Sequence, residues 1–142
     1  MRNLFLILSI SFLLISCNST PDLSQIDQLN GYWEISKVKE ENGNEKEFNF
    51  NEHVDYFYLE NLKGFRQKMQ PQFDGSYKTN GAKEKVSVKE ENDSIFIYYE
   101  TSQDQWKEYL IRLTEEELVV KNEHGITYTY KNFKGYITDG EK

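Results

Sequence analysis

From Leu29 onward the chain is a succession of short runs in which apolar and polar residues alternate, each closed by a turn-like cluster. Trp33, Ile35 and Lys37 alternate with Tyr32, Glu34, Ser36 and Val38. Glu47 to Asn51 alternates over a shorter run, and Val54 to Glu60 (VDYFYLE) is aromatic and β-branched. Phe65, Gln67 and Met69 alternate with Arg66, Lys68 and Gln70, and Val86 and Val88 alternate with Lys85, Ser87 and Lys89. Ser94 to Glu100 (SIFIYYE) is apolar on both faces, and WKEYLIRL (106–113), LVVK (118–121) and ITYTYK (126–131) complete the series. A period of two over four to eight residues is the half-buried strand pattern. The separators EENG (40–43), TNG (79–81), EEND (90–93), TEEE (114–117) and NEHG (122–125) read as solvated hairpin tips. Asp74-Gly75, within 73–78, marks a further tight turn or bulge. A strand roughly every 8 to 12 residues is the rhythm of an antiparallel meander that closes into a barrel or a sandwich. No helical stretch of about 10–15 residues separates the strands, which excludes a parallel α/β arrangement.

The N-terminus has a different character. Met1-Arg2-Asn3 carries one positive charge, and residues 4–15 (LFLILSISFLLI) are apolar apart from two serines. Such a run is too short to span a bilayer, which takes about 20 residues, and has the order of a secretory signal. It ends in Leu14-Ile15-Ser16-Cys17, which holds the chain's one cysteine. This segment resembles the lipobox of bacterial lipoproteins. The resemblance implies cleavage after Ser16 and a diacylglyceryl group on the Cys17 thiol. One acyl chain at ~0.8 kcal/mol per buried CH₂ holds a protein only marginally, so a doubly acylated cysteine is a physically sufficient anchor. A disulfide would need a second cysteine, and a catalytic thiol a partner base. The expected organisation is a signal peptide over 1–16, a lipidated N-terminus and polar tether over 17–28, and one domain over 29–142. The expected location is the outer membrane facing the periplasm, with the cell surface as the alternative, because no Asp follows Cys17 directly and NSTPD (18–22) carries one acid.

Removing residues 1–16 takes away one base and no acid, leaving 126 residues whose side chains sum to −8. That excess argues against nucleic-acid binding, which depends on Lys and Arg neutralising phosphates. It predicts repulsion from anionic headgroups, leaving the lipid to hold the chain at the membrane. Without disulfides, stability must come from a core, for which 19 of the chain's 21 aromatic residues remain to supply material at ~150–250 Å² each.

Gly31-x-Trp33 opens the first strand, in the context LNGYWEI (29–35), and is followed by WKEYLI (106–111), LTEEELVVK (113–121) and ITYTY (126–130). In order and spacing these segments resemble the lipocalin-like lipoproteins of Bacteroidetes-type bacteria. The resemblance implies an all-β, up-and-down antiparallel barrel of about eight strands over residues 29–134, with Gly31 and Trp33 as the family motif. In that family the tryptophan closes the bottom of the barrel and an arginine from the last strand packs across it. The last strand here has no arginine, and Lys131 is the nearest substitute.

No active site is expected. His53 and His124 lie 71 positions apart beside turns, so zinc, which takes three or four ligands, has no donor set, and no cofactor is implied. The acidic pairs sit in predicted tips, whereas a tuned general acid needs burial. An eight-stranded barrel either holds one small ligand or is filled by side chains. If Trp33 faces inward, Ile35 follows and Lys37 approaches the mouth on the same face. Tyr56, Tyr58, Met69, Tyr98, Tyr109 and Tyr128 are the further candidates to line a cavity. Two functions follow: a membrane-anchored module for a small apolar or amphipathic ligand, or an envelope interaction module with a filled barrel. In the second, an aromatic patch or the loop 101–105 would touch a protein partner of unknown identity.

Overall fold

The computed structural model of the chain describes residues 20–136. A short 3-10 helix, Leu23–Leu29, precedes ten strands: β1 (Gly31–Lys39), β2 (Glu45–Glu47), β3 (Val54–Glu60), β4 (Lys63–Pro71), β5 (Tyr77–Lys78), β6 (Glu84–Glu91), β7 (Ser94–Glu100), β8 (Gln105–Leu113), β9 (Glu117–Asn122) and β10 (Thr127–Asn132). Each strand pairs antiparallel with its neighbours in the order β10-β9-β8-β7-β6-β4-β3-β1, and β10 also pairs with β1. Eight strands therefore close into an up-and-down barrel. The short strands β2 and β5 pair with β1 and β4 and lie off the closed circuit.

Local chemistry fixes the register. The β3–β4 and β6–β7 hairpins turn on Asn61-Leu62 and Asn92-Asp93, all four with positive φ. Two central residues in that region make the turn whose twist matches the strands it joins. Leu62 is the unusual member, a branched residue in the left-handed region. It packs against the core, and its carbonyl accepts a hydrogen bond from the Val88 amide at 2.9 Å. Just beyond the turn, a Cβ on Gly64 would stand 1.8 Å from the Tyr58 carbonyl oxygen, so only glycine lets β3 and β4 approach this closely.

The helix closes one end. Asp22 caps it by accepting from the Ser24 amide at 2.7 Å, and Ile26 and Leu29 are buried against the core. Six residues expected in the tether thus belong to the folded domain, because Leu23, Ile26 and Leu29 present one apolar face to the barrel. Trp33 is fully buried, and its indole Nε1 donates to the Leu29 carbonyl at 2.8 Å. Asn30 braces the same end: its side chain donates to the Leu59 carbonyl at 3.2 Å and accepts from the Leu59 amide at 2.6 Å, as a neighbouring strand would. Lys131 does not lie across Trp33. It faces outward and pairs with Glu34 at 3.2 Å, and the indole is fixed instead through its N–H, on the Leu29 carbonyl.

Candidate functional site

Residues opposite one another in antiparallel strands share a face, so the pairings sort inside from outside. Trp33 faces inward and stands opposite Asp55; Phe57 and Leu59 share the Asp55 face. Across β3 and β4, Asp55 opposes Lys68 and Phe57 opposes Arg66. Arg66 opposes Glu84 on β6, with Val86 and Val88 on the same face. Tyr99, Ile97 and Ile95 on β7 face in, as do Trp106, Glu108 and Leu110 on β8. Leu118, Val120, Tyr128 and Tyr130 complete the circuit.

The inward residues divide into two halves. Toward the helix they are aliphatic: Leu29, Leu59, Val88, Ile95, Leu113 and Leu118. Toward the other end, where β8 and β10 begin and β9 stops, a charged layer replaces them. The Arg66 guanidinium lies 4.3 Å from the Tyr99 ring centroid and within about 6 Å of those of Phe57 and Trp106. Its Nε donates to Glu84 at 2.5 Å. The Tyr99 hydroxyl donates to Glu108 at 2.8 Å. Asp55 is 3% exposed, and its Oδ1 lies 2.7 Å from the Lys68 ammonium without receiving a well-directed hydrogen bond. Lys68 itself is mostly in solvent, its side chain 63% exposed, and bends over the rim to reach this carboxylate.

Burial governs the protonation of the layer. It raises the Glu108 carboxyl above the ordinary range, against the opposing pull of the Tyr99 hydroxyl and the Arg66 charge. It also holds the Tyr99 and Tyr130 phenols well above theirs, so both stay neutral. Burial alone would lower Arg66, but Tyr99, Glu84 and Asp55 outweigh it and keep the guanidinium charged. Perturbed titrating groups gathered in one place are a common mark of a functional site. Among the described residues, no group of three or more His, Cys, Asp or Glu is arranged to hold a metal ion.

The candidates named from the sequence scatter. Gly31 opens β1 with φ 127°, and Trp33, Ile35 and Tyr128 face inward. Lys37 does not follow Ile35. A bulge between them leaves Ser36 unpaired, its hydroxyl donating to the Thr129 carbonyl at 3.1 Å, and the face reverses. Lys37 therefore points outward to Glu45 and Glu47 at 3.7 and 3.9 Å. Tyr56, Tyr58, Met69, Tyr98 and Tyr109 also face outward, each one step along its strand from an inward residue. Tyr56 lies in an external aromatic row, with Tyr32 at 4.7 Å and Tyr77 beyond it at 4.2 Å from Tyr32. Tyr58 packs on Phe65 at 5.7 Å, and Tyr109 on Phe96 at 5.7 Å. These five do not line the interior. Cys17 lies outside the described residues.

A family model described as a lipocalin-like domain matches residues 29–120, from the last helical residue to the middle of β9. The chain belongs to the lipocalin-like domain family. Two solved structures superpose on this lipocalin-like barrel. One is a lipocalin-like protein from Bacteroides uniformis, 13% identical, with TM-score 0.49, covering 75% of this chain and 99% of its own. The other is an uncharacterized protein from Bacteroides eggerthii, 14% identical, with TM-score 0.47, covering 74% and 99%. No curated protein matches the chain in sequence.

The four charged members of the layer were missed because charges within strands read as solvated. A signal was present. Asp55 shares its parity with Phe57 and Leu59, Glu84 with Val86 and Val88, and Glu108 with Trp106 and Leu110. On that parity Asp55 and Glu108 are buried and Glu84 half-buried, whereas Glu90, opposite Ile95 near the end of β6, is exposed.

Proposed function

We propose that the protein is a lipid-anchored lipocalin-like module of the bacterial envelope that binds a small amphipathic molecule at the open end of its barrel. One observation carries the reading: the charged layer of Asp55, Arg66, Glu84 and Glu108 inside an otherwise apolar barrel. Well-packed hydrophobic residues in place of a buried ion cluster are often neutral or stabilising, so stability alone does not account for the charges. A ligand with a polar head does. The head replaces the Lys68 ammonium on Asp55, and the apolar body lies over the half-buried Trp106, Tyr128 and Ile35 at the rim.

The anchor part of the proposal rests on LLISC (13–17) and places the domain on the periplasmic side of the outer membrane. In cells given labelled fatty acid, the wild-type chain should take up label, and Cys17→Ala should accumulate as an unlabelled precursor. Label retained by the variant would overturn the anchor. For the ligand, the full-length protein in non-ionic detergent should be titrated with fatty acids, lysophospholipids and long-chain amines while tryptophan fluorescence is followed. Saturable quenching by an amphiphile, abolished in Asp55→Asn, supports the reading; no response to any of the three classes overturns it.

A further inference from the structure

The outer wall of the barrel has a cleft of about 640 Å³ across β4, β6, β7 and β8. That is the size of a small-molecule site. Its charge is opposite to that of the chain. The charged lining is four lysines, Lys63, Lys85, Lys89 and Lys107, against two carboxylates, Glu100 and Glu123, in a protein whose full sequence carries −7.

The register explains how the lysines meet. Lys63 opposes Ser87, Ser87 opposes Tyr98, and Tyr98 opposes Lys107, so one outward row crosses four strands. At about 4.8 Å between strands, Lys63 and Lys107 stand roughly 14 Å apart along that row. Lys85 and Lys89 flank Ser87 two residues to either side on β6, facing outward with it and roughly 13 Å apart at a strand's rise. Four ammonium groups thus surround a centre made of the Ser87 hydroxyl and the Tyr98 ring.

These lysines are not neutralised. Lys85 reaches Glu100 at 3.7 Å, but Lys63, Lys89 and Lys107 make no carboxylate pair among the described residues. Lys89 lies instead over the Tyr98 ring at 4.6 Å, and Lys107 stands 4.7 Å from the Phe96 centroid and 5.7 Å from that of Tyr98. Glu91 takes the Tyr98 hydroxyl and fixes the ring. Surplus acids are plentiful elsewhere on this surface, so three unpaired lysines around one cleft mark a place where a ligand supplies the anions.

We infer that this cleft binds an acidic oligosaccharide, a short hydroxyl-rich chain with two or more anionic groups roughly 8–14 Å apart. The spacing of the lysines sets the anion separation. Ser87 and Gln105 offer hydrogen bonds to hydroxyls. A bilayer surface fits less well: it is flat where the site is concave, and the chain's overall charge repels an extended anionic plane. A short anion feels mainly the local lysines, because charges beyond about 8–10 Å are screened at physiological salt. The cleft adjoins the mouth of the barrel through Trp106, but its lysines face outward and it does not depend on the anchor.

The test is calorimetric titration of the full-length protein in non-ionic detergent with trigalacturonate, with neutral maltotriose as the control sugar. Trigalacturonate should bind, maltotriose should not, and affinity should fall as salt rises. Lys63→Gln/Lys89→Gln/Lys107→Gln, all at the surface and expected to fold, should lose at least about tenfold, equivalent to 1.4 kcal/mol. Lys121→Gln, outside the cleft, should bind as wild type does. No binding of trigalacturonate at low salt, or unchanged binding by the triple variant, overturns the inference. Capture by phosphatidylglycerol vesicles in excess over neutral phosphatidylcholine vesicles, without trigalacturonate binding, overturns it in favour of a headgroup surface.

Discussion

The two halves of the barrel interior solve the same packing problem differently. The helix-side half fills its space with Leu29, Leu59, Ile95, Leu113 and Leu118 and satisfies its one large polar group, the Trp33 indole, with a backbone carbonyl. The mouth-side half encloses Arg66 among Glu84, Asp55 and Glu108 and leaves one Asp55 oxygen without a directed donor. The first arrangement gains stability from every side chain it buries. The second spends stability on desolvating charges, and its return is a preorganised set of donors and acceptors. On the proposed function, stability and recognition sit at opposite ends of one β-barrel.

The comparison can be broken at either end. Trp33→Ala removes the largest fully buried side chain and should cost about 3–5 kcal/mol. Thermal or urea unfolding measures that loss, and a loss below 1 kcal/mol would mean that the closed end is not the main source of stability. Arg66→Met alone should cost about 2–3 kcal/mol, less than breaking a fully buried pair, because it takes the guanidinium from Glu84, whose side chain is 32% exposed, while Asp55 keeps the Lys68 ammonium at 2.7 Å. A smaller effect follows from Glu108. Its folded carboxyl is raised above the unfolded value, so the native state holds the proton more tightly and this group's contribution to stability declines as pH rises above the usual glutamate range. Glu108→Gln should remove that decline and flatten the stability profile on the alkaline side of it. A profile parallel to the wild type would show that Glu108 titrates as an ordinary surface acid.

Much of this architecture was legible in the sequence. The runs at 54–60 and 94–100 are strands β3 and β7 with the same bounds, and hairpin turns fall within the separators EEND (90–93) and NEHG (122–125), although Glu90, Glu91 and Asn122 belong to the strands. Two features were hidden for physical reasons. The strands carry large side chains on both faces, so Tyr56, Tyr58, Tyr98 and Tyr109 give no indication of which side is inside. The outward row is itself covered in part by the β5 segment, as Tyr77 stacked on Tyr32 shows. The bulge at Ser36 is likewise a tertiary feature. It reverses the face of Lys37 without any glycine or proline to announce it. The tether reading ran too far because LSQIDQL (23–29) is polar in composition, and its three apolar residues take on meaning only against the barrel end they cover. Net charge misled in a similar way: the acidic total concealed the lysine-rich wall of β4, β6 and β8.

The most direct measurement is the double variant Arg66→Met/Glu84→Leu, examined at once for unfolding free energy and for amphiphile binding by tryptophan quenching. The account predicts a folded barrel within about 1 kcal/mol of the wild type, having recovered most of the loss seen in Arg66→Met, with quenching by the ligand abolished. A double variant as unstable as the single one, and still quenched by the same amphiphile, would contradict the claim that the charged layer is kept for recognition rather than for the fold.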